Sequence, residues 1–116
     1  GLDEISLVAP TQVAELKDGS IQQWRIDPSQ YGFNYSNYDA ITVDNAEQSL
    51  ALVNEALNNQ PGAALDMVII NAAGALYAAD LADNFAQAIE LAKDLIASGQ
   101  AKQKLDHLVQ FSQALA

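Results

Sequence analysis

The stretch "MVIINAAGALYAA", residues 67–79, constrains the fold more than any other part of the chain. It belongs to a helical pattern over 63–79 that is apolar nearly all round, through Leu65, Val68, Ile69, Ala72 and Leu76. A helix without a polar face has to be buried on several sides, so the remaining residues must wrap it. The run of alanines and Gly74 permits close approach of neighbouring backbones. The stretch is shorter than the ~20 residues that span a bilayer and carries Asn71 in its middle. It therefore reads as the interior helix of a soluble domain.

Three further helical patterns surround it. The first follows Asp44-Asn45 and sets Ala46, Leu50, Val53 and Leu57 in one stripe, with Asn45 and Gln48 spaced as a capping box and Pro61-Gly62 as the stop. Another begins at Asn84, with Gln87 behind it, and aligns Phe85, Ala88, Ile89, Ala92, Leu95 and Ile96 before Ser98-Gly99 closes it. The last places Ala101, Leu105, Leu108 and Phe111 on one side.

Residues 1–33 are strand-like instead. Ile5 and Leu7 alternate with polar neighbours, and Asp18-Gly19 sits inside "TQVAELKDGSIQQWRID". Asp-Gly between alternating residues signals a two-residue hairpin, because both turn positions need positive φ. That turn pairs Leu16 with Ile21 and Val13 with Trp24. An isolated hairpin is marginal in water, so helices or a larger sheet must cover it. Residues 34–43, "NYSNYDAITV", have no period and read as a loop whose tyrosines cover it. The organisation expected is one piece, 1–116, with strands and hairpin over 1–33, a loop over 34–43 and helices over 44–116.

Composition removes several function classes. Half the residues are hydrophobic, which excludes disorder. Five basic against fifteen acidic side chains give a net charge of −10, which opposes nucleic-acid phosphates and anionic membranes. No cysteine is present, so disulfides, thiolate catalysis and zinc-thiolate sites are out, and a reducing compartment is compatible. The acidic start has no signal-peptide pattern. The chain begins at Gly1 rather than at methionine, which reads as the interior of a longer polypeptide.

Candidate chemistry is sparse. The only histidine, His107, lies beside Asp106 on a helix surface and reads as solvated. Glycines occur at turns and helix ends, not in a phosphate-cradling motif. Glu90 and Asp94 form a wet face, and Asp44, Asp66 and Asp83 suit the positive ends of helices. Asp3 and Glu4 stand apart: adjacent carboxylates before an apolar segment. Neighbouring side chains on a regular strand point to opposite faces, so both serve one site only from a loop. Hard oxygen ligands without nitrogen or sulfur suit Mg2+, which takes one or two carboxylates plus waters and substrate phosphates. The other reading is a solvated surface pair.

The blocks "GLDEISLVAPTQVAEL" and "DGSI", then "DPSQYGF", "VIINAAGALYAADLADNF" and "AIELAKDLIASGQAKQKLDHLVQF", closely resemble the anthranilate phosphoribosyltransferase family, in order and over nearly the whole chain. The resemblance implies the C-terminal portion of a phosphoribosyltransferase/nucleoside-phosphorylase type α/β domain: a strand and β-hairpin followed by about four helices. It further implies a cytoplasmic, Mg2+-dependent enzyme of tryptophan biosynthesis that moves a phosphoribosyl group from phosphoribosyl pyrophosphate to anthranilate. The family's "GLDE" acids hold magnesium at the pyrophosphate end, a role that falls on Asp3 and Glu4. The family dimerises through a helical domain outside the present residues.

Departures accompany the likeness. Val8 and Ala9 stand in "LVAPT" where "LTGPT" is more usual, and "NYSNYDAITV" lacks a glycine pair often found there. The glycine-rich phosphoribosyl-pyrophosphate loop and the Lys-His-Gly-Asn loop lie upstream of these residues, so this piece alone is expected to be inactive. The alternatives are part of a pyrimidine nucleoside phosphorylase-like enzyme, a non-catalytic binding module of the same fold, and a stand-alone interaction domain.

Overall fold

Asp18 and Gly19 take φ of 49° and 77°, the conformation that a tight hairpin turn requires. They join β1 (Thr11–Lys17) to β2 (Ser20–Ile26) in an antiparallel pair. The register is the one expected from the turn: Leu16 opposite Ile21, Val13 opposite Trp24. A computed structural model describes all residues 1–116. After the hairpin come two short 3-10 turns, Pro28–Tyr31 and Asp39–Ile41. Then follow α1 (Ala46–Leu57), α2 (Ala63–Ala78), α3 (Phe85–Ala97) and α4 (Gln100–Ala114).

The apolar α2 is at the centre. Leu65, Ile69, Ile70 and Ala73 are buried on it, and α3 packs against it with Phe85, Ala88, Ile89, Ala92 and Ile96. Each leucine, isoleucine or phenylalanine so removed from water contributes about 1.5–3 kcal/mol. The hairpin is fastened to this helical layer by aromatic edges. Trp24 meets Tyr77 at 5.7 Å and Phe85 at 6.1 Å between ring centroids, and Tyr31 meets Phe85 at 5.3 Å. The Glu15 carboxylate completes the seam, accepting Trp24 Nε1–H at 2.9 Å and Tyr77 O–H at 2.8 Å.

Helix ends follow the sequence signals. Asn45 and Asn84 accept from the N–H of Gln48 and Gln87, each at 2.9 Å. The two glutamines reach back one residue further than the usual box, to the N–H of Asp44 and Asp83. Gly99 takes φ 83° and with Ser98 links α3 to α4 in two residues.

Three expectations need correction. Ile5 and Leu7 do not form a strand; no neighbouring strand is available, since the sheet has only β1 and β2. The segment is held by a side chain instead. Asn71 Oδ1 accepts the Ile5 N–H at 2.8 Å, and Asn71 Nδ2 donates to the Ile5 carbonyl and to the Met67 carbonyl, both at 3.0 Å. Leu7 is buried, and the Ile5 side chain lies so close to Gly74 that a Cβ there would meet its Cδ1 at 2.7 Å. The α1 stripe also differs. Leu50 and Val53 are exposed, and Ala56 is the residue that α1 buries. The far half of α4 likewise leaves Leu108 and Phe111 in solvent.

The loop after the hairpin is tied down by its tyrosines. Tyr35 donates its hydroxyl proton to Asp66 Oδ2 at 2.6 Å, in the first turn of α2. That bond, with burial and the Asp66 charge, pushes Tyr35 up to about 12. A phenol raised in the folded state stabilises fully below its ordinary value near 10 and ceases to do so as pH rises to about 12. Two outcomes follow. Replacing Asp66 with Asn should bring the Tyr35 phenolate titration, followed by ultraviolet absorbance, down towards the ordinary tyrosine range. Asn71→Leu should leave both polar groups of Ile5 unpaired and cost about 1–3 kcal/mol in chemical unfolding, with faster amide exchange at Ile5.

Candidate metal centre

Asp3 and Glu4 lie in the bend that precedes Ile5, outside any strand, and both are exposed. This is the loop placement that two adjacent carboxylates need to act on one ligand. What fixes the residues directly after the bend is the Asn71 grip on Ile5, followed by a knot of hydroxyls around Ser6. Ser6 Oγ accepts the N–H of Val8 at 3.0 Å and of Ala9 at 3.1 Å, closing a side-chain turn over residues 6–9. Thr11 Oγ1, at the start of β1, accepts the Ser6 N–H at 3.1 Å. Tyr38, from the loop before Asp39–Ile41, brings its hydroxyl to 2.5 Å from Ser6 Oγ.

These residues border a shallow cleft of 510 Å3. Glu4, Ser6, Thr11 and Tyr38 line it, and Asp3 does not. The two carboxylates are thus neighbours in sequence but not equivalent in space. The ion pairs of the chain lie elsewhere, Lys93 with Glu90 and Lys102 with Asp106. No group of three or more His, Cys, Asp or Glu side chains comes together to form a cage made of protein alone.

That donor set suits one kind of ion. Zinc and its relatives want nitrogen or sulfur and near-complete coordination by side chains. Magnesium keeps several waters, and one or two carboxylates with substrate phosphates suffice for it. Two uncompensated, solvent-facing carboxylates in a braced loop fit the second pattern.

The larger cleft, 810 Å3 between the hairpin and α2, is lined by Glu15, Trp24, Asn71 and Tyr77 among others. Its central carboxylate is spent on two neighbouring donors. Both Glu15 oxygens have donors, and the Glu15 bond raises the Tyr77 phenol above its ordinary range. A carboxylate so occupied is a structural brace rather than a base. His107 and Asp106 are exposed on α4, as expected of a solvated pair.

Sequence reasoning did not find Ser6, Tyr38 and Asn71 as the framework of the loop. A serine with partners two and three residues on is a turn signal that precedes Pro10-Thr11 in plain view. Asn71 and Tyr38 act across 66 and 32 positions, and no local pattern announces them.

Comparison with known proteins agrees with this architecture. The model of the glycosyl transferase family, a/b domain, matches residues 1–102. Anthranilate phosphoribosyltransferase of Burkholderia mallei (strain SAVP1) is 44% identical over 113 residues, 97% of this chain and 33% of the relative. The proteins of the same name from Burkholderia ambifaria (strain MC40-6) and Burkholderia pseudomallei (strain 1106a) are 45% and 44% identical over the same shares. The chain spans about a third of the length of the curated relatives it matches. With a family match over most of its residues and a hairpin set on four helices, the chain belongs to the glycosyl transferase family, within the a/b domain.

Proposed function

We propose that this chain is the magnesium-holding part of an anthranilate phosphoribosyltransferase and is inactive without the rest of the enzyme. One observation carries the reading: Asp3 and Glu4 stand free of any partner on a loop that the fold otherwise pins at Ile5 and Ser6. The 44–45% identity to anthranilate phosphoribosyltransferases over 97% of the chain supports the choice of activity. The exposed Leu16, Ile21, Leu50, Leu108 and Phe111 offer apolar surface of the kind a longer chain would cover.

Within that reading each residue has a defined task. The carboxylates do not touch the diphosphate, whose charge would repel them. They hold magnesium, which when bound supplies charge relief to a departing pyrophosphate. Asn71 and Ser6 keep the loop in place, so no ordering cost falls on ligand binding. Anthranilate and the ribose are positioned by residues outside this chain.

The binding-module alternative is disfavoured by charge. Of the few cations, Lys93 and Lys102 are engaged with Glu90 and Asp106. Lys17, Arg25 and Lys104 are left to face a net charge of −10, too little for a phosphate track.

The test compares two proteins: the chain alone, and the chain joined behind the upstream two thirds of the Burkholderia ambifaria relative. The joined protein should transfer phosphoribose from phosphoribosyl pyrophosphate to anthranilate, and the chain alone should not. In the joined protein, Asp3→Ala or Glu4→Ala should raise the magnesium needed for half-maximal rate by about tenfold or more, with unchanged thermal unfolding. Full activity of both variants at limiting magnesium would refute the assignment.

A further inference from the structure

The Ser6 hydroxyl settles where the Tyr38 proton is. Ser6 Oγ has three close neighbours: the N–H of Val8, the N–H of Ala9 and the Tyr38 hydroxyl. A hydroxyl has one proton to give and two lone pairs to accept with. The two backbone N–H groups can only donate, so they occupy both lone pairs. The Ser6 proton therefore goes to Tyr38 Oη, and in that 2.5 Å contact the phenol accepts. Its own proton must point elsewhere, and no acceptor within the chain takes it up. The phenol borders the same 510 Å3 cleft as Glu4.

Tyr38 is also held from behind. It caps the short helix Asp39–Ile41, and its carbonyl accepts the Ile41 N–H at 3.0 Å and the Thr42 hydroxyl at 2.9 Å. Backbone and hydroxyl are thus both fixed, and the half-buried ring has little freedom left. The result is a preorganised neutral donor facing a cleft that it shares with a free carboxylate.

We propose that Tyr38 contacts the substrate: its O–H donates to a phosphate oxygen of the diphosphate that the Asp3–Glu4 magnesium neutralises. The inference rests on the reading of Asp3 and Glu4 given above. A neutral donor suits the position. It adds a directional bond to a phosphate oxygen without competing with the cation for the carboxylates, and hydrogen bonds to charged acceptors are the strong ones. Ser6 has the subordinate role of orienting the phenol.

The experiment uses the joined protein and inorganic pyrophosphate as probe, titrated by calorimetry at saturating magnesium. Tyr38→Phe should weaken pyrophosphate about tenfold, the loss of one charge-assisted bond, while magnesium dependence and thermal midpoint stay as in the parent. Ser6→Ala keeps the phenol proton but loses its anchor, and should weaken pyrophosphate less than Tyr38→Phe does. Equal or greater weakening by Ser6→Ala would mean that the effect belongs to the loop, and would overturn the assignment. So would parental pyrophosphate affinity in Tyr38→Phe. Asp3→Ala separates the two readings: if it raises the magnesium requirement while Tyr38→Phe binds normally, the phenol assignment falls and the metal assignment stands. If Asp3→Ala and Glu4→Ala change nothing, the metal assignment falls, and the phenol assignment with it.

Discussion

The hold of Asn71 on Ile5 is the contact on which the candidate site depends. An amide in the middle of an apolar helix is costly to bury without partners, and here it has partners for its oxygen and for both its protons. The amide offers the Ile5 backbone one acceptor and one donor, as an adjoining strand would. A segment that would otherwise present unpaired polar groups is thereby docked on α2, with Leu7 buried beyond it and Ile5 against Gly74. Since Asp3 and Glu4 directly precede Ile5, their position is inherited from an interaction that spans 66 residues.

The carboxylates divide by whether the fold supplies them with donors. Glu15 takes protons from Trp24 and Tyr77, and Asp66 from Tyr35. Asp27 accepts the Ser29 hydroxyl and N–H, bonds that hold its carboxyl below the usual range. Glu90 and Asp106 have lysines. These acids fasten hairpin, loop and helices, and the cost appears on the phenols, which become harder to ionise. Asp3 and Glu4 have neither donor nor lysine, as is also true of other acids such as Asp18 and Asp94, but the residues directly after them are firmly tied. Acids left free on a mobile tail mean little. Acids that directly precede a tied segment have a placement that ligands of a hydrated cation can use.

Much of this was legible in the sequence where the determinants are local. The Asp18-Gly19 turn gave the strand register, and Asn45 and Asn84 marked the starts of α1 and α3 through bonds three residues long. The motif blocks pointed to the family that matches residues 1–102. What was not legible depends on partners. The alternation of Ile5 and Leu7 shows which side chains turn inward, but a strand also needs a neighbour, and this segment has a side-chain amide instead. The stripe on α1 has helical spacing, yet Leu50 and Val53 are exposed, because periodicity says which residues share a face and not what covers it. The roles of Asn71 and Tyr38 were hidden for the same reason.

The uneven burial also bears on how the candidate site keeps its shape. Most exposed large apolar residues lie on the hairpin tip, on α1 and towards the end of α4, with Leu2 and Leu81 outside these elements. Residues 5–7 are docked on α2, and the 6–11 turn closes on itself through Ser6 and Thr11. Local opening free energies vary across a structure, and regions with few buried contacts open first. Fraying of α4 or of the hairpin tip removes none of the bonds that fix the acidic loop. Those bonds run to α2, to Thr11 at the base of β1 and to the Tyr38 loop, which Tyr35 ties back to α2 through Asp66. The residues that follow the acidic bend are therefore held largely by α2, directly through Asn71 and indirectly through Tyr35 and Asp66, and their order follows the stability of the core rather than that of the periphery.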